Sequence, residues 1–213
     1  MCFSVETSFG ASLFLLGIGL LSFKNLKSKN LWPLAVVPLL FAAQQFLEGF
    51  VWLSKADIIT DNIGIMAKYG FIFFAFIAWP FWIPFACWKT EENKKNKQIL
   101  FYILFFGSFL SLILLFLIIY YGISVESTCN HLLYSVNSSA NTKSIWQNII
   151  LSLYLIPTLA PFFISSRKNM PILGLIIFLT LALTMLFYYV FLISVWCFFA
   201  AIVSAFIYFI IKK

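Results

Sequence analysis

Six long apolar runs, the last of double length, separated by short segments that carry nearly all the lysines, constrain this chain more than anything else in it. A helix rises about 1.5 Å per residue and the hydrocarbon layer of a bilayer is about 30 Å thick, so a spanning helix needs about 20 apolar residues. Runs of that length lie at about 4–23, 31–53, 63–88, 98–122 and 145–165. The stretch from Met170 to Ile211 is too long for one crossing and accommodates two, at about 170–189 and 195–211, joined by a tight turn. The expected fold is therefore all-α: a single polytopic membrane domain, 1–213, of seven transmembrane helices. With 63% hydrophobic and 10% charged residues, the 213-residue chain lacks the polar surface that a water-soluble domain of this size requires.

The basic residues test that count. With the N-terminus outside, seven crossings place Lys24, Lys27, Lys29, Lys89, Lys94, Lys95, Lys97, Arg167, Lys168, Lys212 and Lys213 on the cytoplasmic side, and only Lys55, Lys68 and Lys143 near the other face. Eleven against three is the asymmetry that orients membrane proteins, and an even number of spans would move the terminal lysines outward. A net charge of +7 would suggest nucleic acid in a soluble protein; here the charges flank apolar runs, so the expected partners are membrane lipids and a small-molecule ligand, and no nucleic acid. The opening lacks a basic region ahead of its apolar run and reads as a first span, not as a cleavable signal. The expected location is a cytoplasmic (inner) or plasma membrane. Pro80 and Pro84 fall inside the third run and Pro157 and Pro161 inside the fifth, where each removes a backbone hydrogen bond and can bend its helix.

This topology gathers three of the four cysteines at the outer face. Cys2 starts there, Cys129 lies in the polar segment ISVESTCNHLLYSVNSSANTKS, and Cys197 sits just inside the outer end of the seventh span, whereas Cys87 ends the third span on the inner side. On an oxidising face a disulfide of Cys129 with Cys2 or with Cys197 would pin that polar segment. The competing reading assigns the leftover thiol, or all three, to a site.

The second run reads LLFAAQQFLEGFVWL, and Gln44, Glu48 and Trp52 are spaced by four, on one helix face. Glu48 lies about five residues, or about 7–8 Å, below the outer end. A lipid-facing carboxylate costs about 2.5–3.5 kcal/mol at a helix centre and less near the interface, so Glu48 is expected to face the bundle interior. Gln45 sits beside it, and Gly49 permits close approach of a neighbouring helix. Glu6 and Glu126 read as solvated interface charges. His131, the one histidine, stands two residues from Cys129. Cys2, Glu48, His131 and Cys197 together are a zinc-type donor set, so zinc or another transition metal is the cofactor they suit. No H-E-x-x-H, C-x-x-C or multi-histidine pattern reinforces it. A retinal pigment is excluded because the last span, 194–211, has no lysine, and nucleotide loops and the G-x-S-x-G elbow are absent.

The stretches MCFS followed by SFG, QQFLEGFVW and WCFFAAIVS resemble an uncharacterised, mostly bacterial family of multi-spanning membrane proteins whose members open MCFSATASF or similar. The resemblance runs from Cys2 to Ser204 and is carried by Cys2, Phe3, Ser4, Ser8, Phe9, Gln44, Gln45, Glu48, Gly49, Trp52, Trp196 and Cys197. The chain departs from it at Val5, Glu6 and Thr7, where small residues are more usual. The family has no assigned activity, so the resemblance supports the constellation without naming its task. The expected function is a polar, cysteine-containing small-molecule or metal pocket near the outer face, with Gln44, Gln45, Glu48, Trp52 and Trp196 on the ligand. The alternatives are a membrane-embedded metal- or thiol-dependent enzyme using Glu48, His131 and Cys2, a small-molecule transporter, and a structural or sensor subunit.

Overall fold

The computed structural model describes residues 4–128, 131–137 and 143–212, the side chains of 143–147 excepted. Six segments are long and apolar enough to cross a membrane: Val5–Lys24, Lys29–Lys55, Asp61–Thr90, Lys94–Tyr121, Met170–Phe187 and Tyr189–Lys212. The fifth expected run is also helical, Lys143–Ile164, and its described apolar part, Asn148–Ile164, falls short of a full span. The result is a multi-pass helical membrane protein.

Helix α1 (Val5–Lys24) begins where Ser4 accepts a hydrogen bond from the Thr7 amide at 3.3 Å. It turns Ser8, Ala11, Ser12, Leu15 and Gly19 inward and leaves Leu13, Phe14, Leu16 and Leu20 exposed. Large apolar groups outside and small or hydroxylic ones inside are the packing expected when lipid is the solvent and helices associate through close contact. Ser12 Oγ donates to the Ala42 carbonyl at 2.8 Å, bonding α1 to α2 (Trp32–Lys55). Helix α2 is central: it packs on α1, on α3 (Asp61–Ile72), on α4 (Trp79–Thr90), and on the last two helices, α8 (Leu192–Ser204) and α9 (Ile207–Lys212).

Between α3 and α4 the third span widens into a π-helical segment, Phe73–Ala78. Pro80 explains it. Its ring would strike the carbonyl of Phe76 in a regular α-helix, and it has no N–H to donate. The wider turn moves the Trp79 amide onto the Phe74 carbonyl and leaves Ala75 facing Pro80, which has nothing to give. The Tyr154 hydroxyl fills that place, donating to the Ala75 carbonyl at 2.6 Å, and Ser111 Oγ donates to the Ile77 carbonyl at 2.8 Å. These donors come from α6 (Lys143–Ile164) and α5 (Lys94–Tyr121). Gly107 of α5 lies so close to the Pro80 carbonyl that a Cβ there would collide with it.

Helix α5 ends at Gly122, whose φ of 70° suits glycine, and the chain turns into a hairpin of β1 (Ile123–Thr128) and β2 (His131–Val136). The hairpin is an addition to an otherwise helical bundle. The alternation of Ile123 and Val125 with Leu132, Tyr134 and Val136 supplies a period of two, and the register Ile123↔Val136, Val125↔Tyr134 brings them to one face. Lys68 Nζ donates to the Ile123 carbonyl at 2.7 Å and ties the hairpin to α3.

Helix α7 (Met170–Phe187) bridges α6 and α8, with a 3-10 turn at Tyr189–Phe191. At the opposite end of the bundle from the hairpin, buried Glu91 accepts from the amides of Ser166 (2.7 Å), Asn93 (2.9 Å) and Glu92 (3.1 Å). Arg167 Nε donates to the Thr90 carbonyl at 3.4 Å, so the connections after α4 and α6 are locked together.

Candidate functional site

Val37, Phe41, Gln44, Glu48 and Trp52 form one stripe along α2, at helical intervals of three and four. All five are buried, with Gln44 and Gln45 at 0% and Glu48 at 2% exposure. The stripe turns inward because α1, α3, α4 and α8 surround α2, and a carboxylate at this depth is stabilised only when protein supplies its partners. Gln45 Nε2 donates to Glu48 Oε2 at 3.0 Å, and Ser194 Oγ, in the first turn of α8, donates to Glu48 Oε1 at 2.5 Å. Trp79 Nε1 donates to Gln44 Oε1 at 2.9 Å, its ring stacked on Phe41 at 3.9 Å between centroids. The π-helical segment is what delivers Trp79 to that position. Gly49 receives the Phe9 ring, which a Cβ would meet at 2.7 Å, and Phe9 packs edge-on against Phe46 and Phe50.

Several buried polar atoms around this core have no hydrogen-bond partner among the described residues: Gln44 Nε2, Gln45 Oε1, Trp52 Nε1, Tyr134 OH and Trp196 Nε1. Cys197 lies beside Gln44 and Glu48. Tyr134 comes from β2, where Leu132 and Tyr134 alternate inward onto Val51, Trp52, Phe71 and Cys197. Burial, then the nearby Glu48 and Cys197 charges, pushes its phenol well above the ordinary range. Buried polar groups are normally satisfied, so these open atoms stand out from the rest of the core.

The structure brings Gln44, Gln45, Glu48 and Cys197 together, places Trp52 at the outer edge of the group, and sets Trp196 to one side, 6.2 Å from Tyr154 between ring centroids. Among the described residues, Glu48, His131 and Cys197 of the expected metal set do not form a group placed to hold a metal ion. His131 has the opposite strand parity from Leu132 and Tyr134, and its ring stacks on Phe191 at 4.7 Å. Among the described residues no group of three or more His, Cys, Asp or Glu side chains is placed to hold a metal ion. Cys2 and Cys129 lie outside the described residues, and Cys197, one expected disulfide partner, is a free buried thiol. Glu6 and Glu126 are exposed.

Ser194, Trp79, Tyr134 and Tyr154 were not picked out by the sequence. Ser194 is an isolated hydroxyl in an apolar run, and the alternation in HLLYSV is the signal that would have found Tyr134. All 213 residues, 1–213, match a family of unknown function (DUF6629). The chain belongs to the DUF6629 family. No curated protein and no solved structure matches it. In this DUF6629 protein the three quoted stretches meet in space: Phe9 on Gly49, and Cys197 beside Gln44.

Proposed function

We propose that this DUF6629 protein binds a small molecule through hydrogen bonds at Gln44, Gln45, Glu48, Trp52 and Trp196, with Tyr134 as a further donor, in the outer half of the bundle. The observation that carries this reading is a set of buried polar atoms with no hydrogen-bond partner among the described residues, Gln45 Oε1, Trp52 Nε1 and Tyr134 OH, beside a carboxylate whose own oxygens are already engaged. Each open group, left dry, costs about 1–3 kcal/mol, so a molecule that completes them binds with that much in its favour. Binding is favoured over chemistry because Glu48 is held by two donors and no nucleophile–base pair is aligned with it among the described residues. The lysine distribution supports an N-terminus outside and Lys212 inside, in a plasma or inner membrane.

Glu48→Gln keeps the side chain's shape and removes its charge. Organic extraction and mass spectrometry of the purified wild type should recover a co-purifying small molecule that is depleted in Glu48→Gln at an unchanged melting temperature. Equal recovery from both proteins, or a bare wild type, would leave Glu48 as a structural clasp between α2 and α8.

A further inference from the structure

Below Gln44 the same α2 stripe continues as Val37 and Phe41, and these line a cavity of about 50 Å³ between α6 and α8. Its wall is mostly apolar, including Ile83, Phe162, Leu173 and Ile207, with Tyr154, Thr158 and Ser204 as its hydroxyl-bearing members. The cavity adjoins the polar cluster. Trp79, bonded to Gln44, and Cys197, beside Gln44, both line it. Trp196, whose Nε1 has no partner among the described residues, lines it as well. Its rim includes Trp196, Ala200 and Ile177, which are only half-buried, so the crevice opens sideways toward lipid.

The other approach is closed. Toward the hairpin, Trp52, Leu132 and Tyr134 pack into one apolar cluster over the Glu48 group, with Leu132 fully buried. A solute from water must displace that cluster, whereas a molecule dissolved in the bilayer meets the open rim. From Cys197 to Ile207 the crevice runs about 15 Å at a helical rise of about 1.5 Å per residue, the length of an alkyl chain rather than of a compact solute. The open polar atoms define the head. Trp196 Nε1 donates, Gln45 Oε1 accepts, and the Glu48 carboxylate disfavours a second carboxylate beside it. A hydroxyl both donates and accepts, and carries no charge.

We propose that the molecule held at the Glu48 cluster is a single-chain amphiphile with a neutral hydroxyl head, its alkyl chain lying in the crevice between α6 and α8. This rests on the binding reading above and adds the class of ligand and the side of entry.

The test uses the full chain in lipid nanodiscs and hexadecanol bearing a mid-chain diazirine. Photolabelling should fall on peptides of α6, α7 and α8–α9. Unlabelled hexadecanol should compete, and hexadecane and hexadecanoate should not. Ala200→Phe and Ile177→Trp fill the rim from two sides, and either one that keeps the wild-type melting temperature should abolish the labelling. Glu48→Gln should raise competition by hexadecanoate roughly tenfold relative to hexadecanol, about the effect of one lost charge contact. Labelling that hexadecane removes equally well marks ordinary annular lipid and overturns the proposal. Hexadecanol retention that depends on Glu48 but survives both rim variants overturns the chain placement and leaves the polar pocket standing. No retention, with Glu48→Gln indistinguishable from wild type, removes both.

Discussion

Tyr154→Phe isolates one hydroxyl at a known place. The ring stays, so packing against Phe76 and Trp196 is retained, and only the donation to the Ala75 carbonyl is lost. That carbonyl sits in the π-helical segment opposite Pro80, so no backbone donor takes over. A buried carbonyl left unsatisfied costs about 1–3 kcal/mol, while side-chain hydrogen bonds between membrane helices average about 0.6 and reach about 1.7 kcal/mol. The absence of a substitute donor puts this bond in the upper part of the second range, about 1–1.5 kcal/mol, or roughly a tenfold change in the unfolding equilibrium. Reversible unfolding in mixed micelles measures it. The decisive arm is Pro80→Ala, which restores an N–H and allows the segment to wind as a regular α-helix with Ala75 paired. In that background Tyr154→Phe should cost less than about 0.5 kcal/mol, giving a coupling well above the additivity error of about 0.3–0.5 kcal/mol. Equal costs in both backgrounds would refute the substitution of a tyrosine for a missing backbone donor.

At the α4–α5 contact, Gly107→Ala puts a methyl group into the Pro80 carbonyl, and the same unfolding assay should register a loss of about 1–3 kcal/mol. At the other clasp, burial alone would raise the Glu91 carboxyl, but the amides of Ser166, Asn93 and Glu92 and the Ser166 hydroxyl outweigh it and hold it below 4.5. Its stabilising contribution is therefore complete above the unfolded value and lost as pH falls through the lower folded value. The wild-type melting temperature should drop below about pH 4.5 more steeply than that of Glu91→Gln, and parallel curves would remove the argument. Because Cys87 and Cys197 are buried, single exposed cysteines at Lys29 and Ala56 in a Cys2→Ser, Cys129→Ser background report orientation with little signal from the remaining thiols. In intact cells an impermeant maleimide should reach Ala56→Cys and not Lys29→Cys, and the reverse result would invert the topology.

The helices were legible because a bilayer imposes one length and one polarity on every span, and the inward turn of Glu48 because a lipid-facing carboxylate is penalised. What completes them was not. Ser194 carries no mark in its own neighbourhood that it meets a residue 146 positions earlier. Pro80 announced an irregularity, but whether a helix kinks or widens depends on which neighbours offer donors, here Tyr154 and Ser111. Reading 123–144 as a polar connection missed the two-residue alternation that makes a hairpin, and with it the parity that separates His131 from Tyr134. Proximity in sequence to Cys129 had made that histidine look like part of a donor set.

The bond between Ser194 and Glu48 also orders events in time. Helix α2 enters the membrane early in synthesis, and during that interval Glu48 has Gln45 as its local partner, since Ser194 is not translated until most of the chain is made. Nascent chains stalled before α8 therefore carry a half-satisfied carboxylate inside the bilayer. Such chains have a physical mark that distinguishes them from finished ones. The carboxylate gains its second partner only when the last helix arrives.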